Sequence, residues 1–290
     1  MAKATTGKQL IAAAWAGLKQ DKELMVLPVL GGIFSTLSIA LISGVGYVAG
    51  AFDSVLASDT ATNSLSPLGY VFAAMTAYVT TTIALFFQSA VICGAMERLD
   101  GGDPTVASAL GAARKKLGAI MLWALVATTV GLVLRALSDR GGVFARIASA
   151  IAGMAWAVAT FFVLPVVVFE GTNSFAAVKR SGQLISQRWG TVARTNLRFG
   201  LQLLLAIFAT LAAIVVGFSM AFTSLDAGTG PSPFIGLAIA ALGVTGLIVV
   251  TVVTNALNGY VRAVLYRHAV GKSVPGITDE ILAGAFAIKG

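Results

Sequence analysis

The sequence predicts an all-α, polytopic membrane protein. Six transmembrane helices form three hairpins, with amphipathic interfacial helices on the cytoplasmic side. Three observations predict this. Only 11% of the 290 residues are charged and 57% are hydrophobic, whereas soluble domains carry about 25% charged residues. The apolar residues fall into six runs long enough to cross a bilayer core, which takes about 20 residues of helix. The basic residues gather in alternate connections, as expected when cytoplasmic loops hold the Lys and Arg. The net charge of +8 therefore sits between apolar runs. It points to topology and anionic headgroups, not to nucleic acid, which would call for a basic surface laced with aromatics.

Residues from about Thr6 to Gln20 read as an amphipathic helix with Ile11, Ala14, Trp15 and Leu18 on its apolar face, followed by a solvated joint, Asp21-Lys22-Glu23. The first span runs from about Leu24 to Phe52. Pro28 sits near its start, where a missing N–H costs least. Gly46 and Gly50 form a GxxxG pair in this span, a pattern that allows close helix contact. A polar loop without Lys or Arg leads to the second span, about Leu68 to Met96. Asp103-Pro104 then reads as a helix start, a capping carboxylate before proline at the first position. The helix it opens closes on Arg114, Lys115 and Lys116, where cations suit the dipole.

The third span runs from about Gly118 to Leu137, a tight turn follows at Ser138 to Gly142, and the fourth span is about Val143 to Phe169. Between it and the fifth span lies a basic, periodic segment. Phe175, Val178, Gly182, Ile185 and Trp189 recur at spacings of three and four, with Lys179, Arg180, Gln183, Gln187 and Arg188 on the other faces. That is an interfacial helix lying in the headgroup plane. The fifth span covers about Phe199 to Leu225 and the sixth about Phe234 to Leu265, joined by Asp226 to Pro233, a turn-rich loop without basic residues. A last amphipathic segment carries Ile277, Ile281, Ala285 and Ile288.

Four Lys or Arg precede the first span, four follow the second, five follow the fourth and four lie from Arg262 onward. Only Arg135, Arg140 and Arg146 fall on the opposite side. Both termini are therefore expected in the cytoplasm, in a cell (inner or plasma) membrane. One membrane domain is expected, with hairpin units at roughly 6–96, 97–169 and 170–265 and a tail helix at 266–290. The units read as a parallel pseudo-repeat: Gln88 aligns with Asn258, Arg98 with His268, Gly101 with Gly271 and Pro104 with Pro275.

LPVVVFEG (Leu164 to Gly171), AVKRS (Ala177 to Ser181), Trp189-Gly190 and the N-terminal GKQLIAAAWAGLKQDKELMVLPVLGG resemble a family of uncharacterised prokaryotic six-span membrane proteins, a domain of unknown function. A more distant likeness is to the membrane domain of some glycerophosphodiester phosphodiesterases. The resemblance implies a fold and a location, and it carries no catalytic residues. The soluble catalytic barrel of the phosphodiesterases has no counterpart in this chain.

Reactive chemistry is sparse. His268 is the sole histidine and Cys93 the sole cysteine, so no metal site of the usual His and Cys spacing is expected. No serine elbow or P-loop is present. No catalytic residue, metal or cofactor is assigned, and the chain is read as a non-enzyme. The candidates are polar or charged groups at membrane depth. Gln88, Asn255 and Asn258 would line a polar path or bond between helices. Arg135, Arg140 and Arg146 would snorkel to outer headgroups or form an outer-leaflet site for anions or lipid phosphate. Glu170 reads as a junction carboxylate paired with Lys179 or with an arginine of another hairpin. The expected role is a scaffold or accessory protein organising lipids or partner proteins, and the alternative is a transporter or channel for a small or lipidic solute. Expected partners are anionic lipid headgroups, with a second copy of the chain or another membrane protein permitted by Gly46, Gly50, Gly236, Gly243 and Gly246.

Overall fold

The computed structural model describes residues 3–53, 65–140, 142–188, 196–227 and 233–275. Side chains are described for these except at 3–10, 140, 187–188, 196–204 and 224–227. The helices are α1 (Lys3–Gln20), α2 (Val26–Val48), α3 (Pro67–Leu99), α4 (Val106–Arg114), α5 (Leu117–Arg140), α6 (Gly142–Ala159), α7 (Ser174–Arg188), α8 (Asn196–Ala227) and α9 (Pro233–Ala269). No strand occurs among the described residues. Six segments are long and apolar enough to cross a membrane. The fold is all-α and polytopic, and α2–α3, α5–α6 and α8–α9 are its hairpins.

The apolar face of α1 is as expected: Ala14 and Leu18 are fully buried, and Ile11 and Trp15 pack at the edge of the core. Helix α1 lies on α9, where Gly17 meets Tyr260 so closely that a Cβ would strike the phenol. Helix α3 is the hub and packs against α2, α4, α5 and α9. Helix α8 has α9 as its main neighbour, and α6 rests on α5 and α7.

The core lies at one end. It is built from Leu18, Leu24 and Leu27, the last third of α3 (Ala90 to Leu99), Ala109 and Ala113 of α4, Phe162 to Val167, and the last third of α9 (Ala256 to Ala269). We call this the collar end, because α1, α4 and α7 surround it. Towards the far end, large apolar side chains point outward: Leu41 and Val48 on α2, Tyr70 on α3, Phe144 and Ile151 on α6, Val215 and Phe222 on α8, and Leu242 on α9. The hairpins thus join at the collar and present apolar flanks beyond it.

The glycines expected to permit self-association are used within the chain. A Cβ on Gly236 would lie 2.6 Å from the Gly217 carbonyl oxygen, and one on Gly243 would lie 2.8 Å from Ile214 Cγ1, so these residues let α8 and α9 touch backbone to backbone. Gly46 faces Phe52 and Phe72, and Gly50 adopts φ +70° in the turn after α2. Gly46 therefore serves the α2–α3 seam within the chain, and Gly50 the turn that follows α2.

Two boundaries differ from the sequence expectation. Helix α5 continues to Arg140, beyond Leu137, and Gly142 opens α6 at φ +57°. Helix α4 is capped by Thr105 and not by Asp103: Ser108 N donates to Thr105 Oγ1 (3.1 Å) and Thr105 N to Ser108 Oγ (3.0 Å). This reciprocal box satisfies two free N–H groups at once, which leaves Asp103 for an ion pair. The expected tail helix with Ile277, Ile281, Ala285 and Ile288 lies outside the described residues.

Candidate functional site

Three polar constellations occupy the collar end. The first joins distant segments. Arg98, near the end of α3, donates from Nε to both Asp21 oxygens (2.9 and 2.8 Å) and from Nη2 to Asp21 and to Asp103 (2.6 Å for the latter). Asp21 is only 4% exposed. The solvated joint read at Asp21-Lys22-Glu23 is therefore corrected at its first residue, because a buried carboxylate needs a paired cation and Arg98 supplies it. Beside it, Glu23 Oε2 accepts from Val106 N (3.3 Å), Ser108 Oγ donates to Glu97 Oε2 (2.8 Å), and Arg267 pairs with Asp100. These bonds tie α1, α3, α4 and α9 into one plate.

The second constellation grows from Pro165. Proline removes one N–H from the helix and its ring clashes with the carbonyl four residues back, so the fourth span breaks after Ala159. The freed Phe162 N–H donates to buried Ser181 Oγ on α7 (3.0 Å). The chain re-forms as a helical turn at Val163–Pro165 and a π-helical turn at Val166–Glu170. It then reverses at Gly171, which has φ +68°. The reversal aims Glu170 at two partners: Arg180 Nε at 3.2 Å and the Tyr266 hydroxyl, which donates at 3.0 Å. Glu170 is a junction carboxylate as expected, but its cation is Arg180, one residue past Lys179.

Helix α7 is turned relative to its expected face. Ala177, Ser181 and Leu184 are buried, Val178 and Ile185 pack at the edge of the core, and Phe175 is 78% exposed. Gly182 faces open space. An interfacial helix needs apolar groups toward both protein and lipid, so sequence periodicity points between the two. Val178 and Ile185 go inward, and Phe175 goes outward. Trp189 lies outside the described residues.

The third constellation is a polar stripe on α9. Thr251, Asn255, Asn258 and Arg262 follow at spacings of four, three and four, within an arc of about 60° on the helix. The first three are exposed and Arg262 is half-buried. Asn255 Nδ2 donates to Thr251 O (3.0 Å), and Gln88 Nε2 reaches Asn255 O at 3.5 Å. The charge count places Arg262 with the tail, yet it sits inside the helix with its guanidinium 5.1 Å over the Phe161 ring. Its Nε is buried without a hydrogen-bond partner. The signal for it lay in the sequence as the spacing of four from Asn258.

Elsewhere the candidates disperse. Arg135 is 81% exposed at its side chain and, among the described residues, pairs with Asp139 at 3.8 Å one turn on. Arg146 is exposed, and the Arg140 side chain lies outside the described residues. Among the described residues, no group of three His, Cys, Asp or Glu could hold a metal. Cys93 is buried.

A family profile described as a family of unknown function, DUF6159, matches residues 68–276. The chain belongs to the DUF6159 family. The matched region runs from the first turn of α3 past the end of α9, so it contains all three collar-end hubs of this DUF6159 chain: Arg98, Glu170 and Arg262. Asp21, the partner of Arg98, lies before it. No curated protein matches the chain, the glycerophosphodiester phosphodiesterases included, and no solved structure matches it.

Proposed function

We propose that this chain is a non-enzymatic membrane scaffold or accessory protein. It holds lipids or the helices of partner proteins between its hairpins, with its collar and both termini in the cytoplasm. One observation carries the reading. Packing is concentrated at the collar end, while the far halves of the hairpins show apolar flanks. Exposed apolar patches of this extent mark contact surfaces for lipid or protein. The polar groups that do cluster are ion pairs and caps that fasten one helix to another.

The exposed amides on α9 are the specific observation behind the alternative of a polar path for a transported solute. The two readings separate in one experiment on the full chain in lipid vesicles, with Cys93→Ala as background. Tryptophans replacing Leu41, Leu137 and Phe218 should be quenched by brominated lipid. A cysteine replacing Asn255 should resist a membrane-impermeant thiol reagent added to either side. Rapid labelling of that cysteine from water would establish a hydrated path and displace the scaffold reading.

A further inference from the structure

We infer that the α9 stripe beside Phe161 is an intramembrane binding site for a phospholipid, with Arg262 taking the phosphodiester and Asn258 an ester carbonyl. This deepens the scaffold reading by naming a ligand and its seat.

Charge comes first. A guanidinium is always ionised and has five N–H donors, so one at membrane depth needs an anion. The other collar arginines that face the core have one: Arg98 has Asp21 and Asp103, Arg180 has Glu170, and Arg267 has Asp100. Among the described residues no carboxylate pairs with Arg262, its Nε is unsatisfied, and its one neighbour of note is the face of Phe161. Glu170, a carboxylate of the same collar end, is already engaged by Arg180 and Tyr266. No described residue of the chain supplies the anion, and we assign it to a bound lipid.

Depth and access come next. Arg262 lies five residues before Arg267, about 8 Å further into the membrane along the helix. On its collar side the stripe is closed by Tyr266, which stacks on Phe169 at 5.9 Å and contacts Phe162 at 6.3 Å. Towards the far end it continues through exposed Asn258 and Asn255. An anion entering by that route comes from the lipid phase. A phospholipid fits: its phosphate meets the fork of Arg262, its esters fall one turn deeper at Asn258, and its acyl chains run on toward the apolar flanks. Among the described residues no carboxylate is recorded in contact with the stripe to hold a choline or ethanolamine ammonium, so anionic headgroups are preferred. Basic pockets between transmembrane helices recognise such headgroups in just this way.

The test uses the full-length chain purified through exhaustive detergent exchange, with retained phospholipid measured by native mass spectrometry. Phosphatidylglycerol or phosphatidylcholine is then added back. The unaltered protein should retain phospholipid and rebind phosphatidylglycerol in preference. Arg262→Gln should lower retention about tenfold or more, as expected for a lost charge-assisted contact, and Arg262→Lys should recover part of it. If Arg262→Gln fails to fold, Asn258→Leu decides, because it keeps the cation and should still reduce retention. Arg114→Gln, at an exposed collar arginine, should change nothing. Unchanged retention in both Arg262→Gln and a folded Asn258→Leu would overturn the inference. Equal loss in Arg114→Gln would overturn it in favour of diffuse collar electrostatics. Displacement of the lipid by inorganic phosphate at matched concentration would reassign the site to free phosphate. None of these results touches the labelling of the Asn255 position, so the site and the scaffold reading fail separately.

Discussion

Replacing Gly217 with alanine tests how the third hairpin holds together. The added Cβ would stand 2.6 Å from the Gly236 carbonyl oxygen, 2.8 Å from Ala240 Cα, and closer still to Ala240 N. All three are backbone atoms, so no side chain swings away and the helices themselves must part. Moving the carbonyl contact to 3.4 Å, the near edge of ordinary van der Waals contact, opens the pair by roughly 0.8 Å. A gap of that size forfeits a quarter to a half of each dispersion well of about 0.1–0.2 kcal/mol. Over some 20–30 facing atom pairs the loss is about 0.5–3 kcal/mol, centred near 1.4 kcal/mol and of the order of the usual cost of overpacking, about 1–3 kcal/mol. Helix α8 has little else to lean on, so the loss falls on this one seam. The assay is the effective concentration of a cysteine pair replacing Thr210 and Gly246, which face each other across the seam, in a Cys93→Ala background. Gly217→Ala should lower it about five- to tenfold. Gly131→Ala on α5, where a Cβ meets nothing within 4 Å, should leave it unchanged. Equal values for the two variants would refute close backbone packing as the bond of this hairpin.

Two further outcomes follow from the collar. Asp21→Asn leaves Arg98 with only the exposed Asp103, and should cost about 3 kcal/mol in detergent-unfolding titrations, the low end for breaking a buried pair. The double replacement Asp21→Leu with Arg98→Met should be the more stable of the two, and the reverse order would show that the pair is not sequestered from water. On α7, Leu184→Asn should destabilise by about 2–5 kcal/mol, against less than about 0.5 kcal/mol for Phe175→Gln. Thermal denaturation of the solubilised chain reads both, and a larger effect at Phe175 would overturn the observed rotation of the helix.

The spans were legible in the sequence because a bilayer imposes a length and a polarity that no other environment does. The face of α1 was legible because that helix has a single apolar neighbour, the protein. Helix α7 has two, and its periodicity averages them. The Asp21–Arg98 pair bridges 77 positions, and no local pattern announces a partner that far away. Arg262 was hidden for another reason: counting charges by loop assigns an arginine to the water phase, whereas α9 carries it past the collar into the helix wall. Gly236 and Gly243 were visible as close-contact residues, but sequence does not say whether the contact is with the same chain or another. The aligned Gly101 and Gly271 both adopt left-handed φ, +87° and +80°, and close α3 and α9 with the same pair of backbone bonds. About a third to a half of helices end this way, so the shared cap describes the helix ends without settling their descent.

A bundle fastened at one end behaves mechanically like hinged struts. Helices α3 and α9, with 33 and 37 residues, are about 50 and 55 Å long, well beyond a hydrocarbon core of about 30 Å. A uniformly packed bundle meets a thinner or thicker bilayer by shearing its core or deforming the lipid. Here a hairpin can change its tilt about the collar while the interior contacts of Leu24, Val91 and Val264 stay in place. Mismatch of a few Å, which costs fractions of a kcal/mol per Å, is then absorbed by the arms. The same fastening would let the chain keep one collar structure in membranes of different thickness.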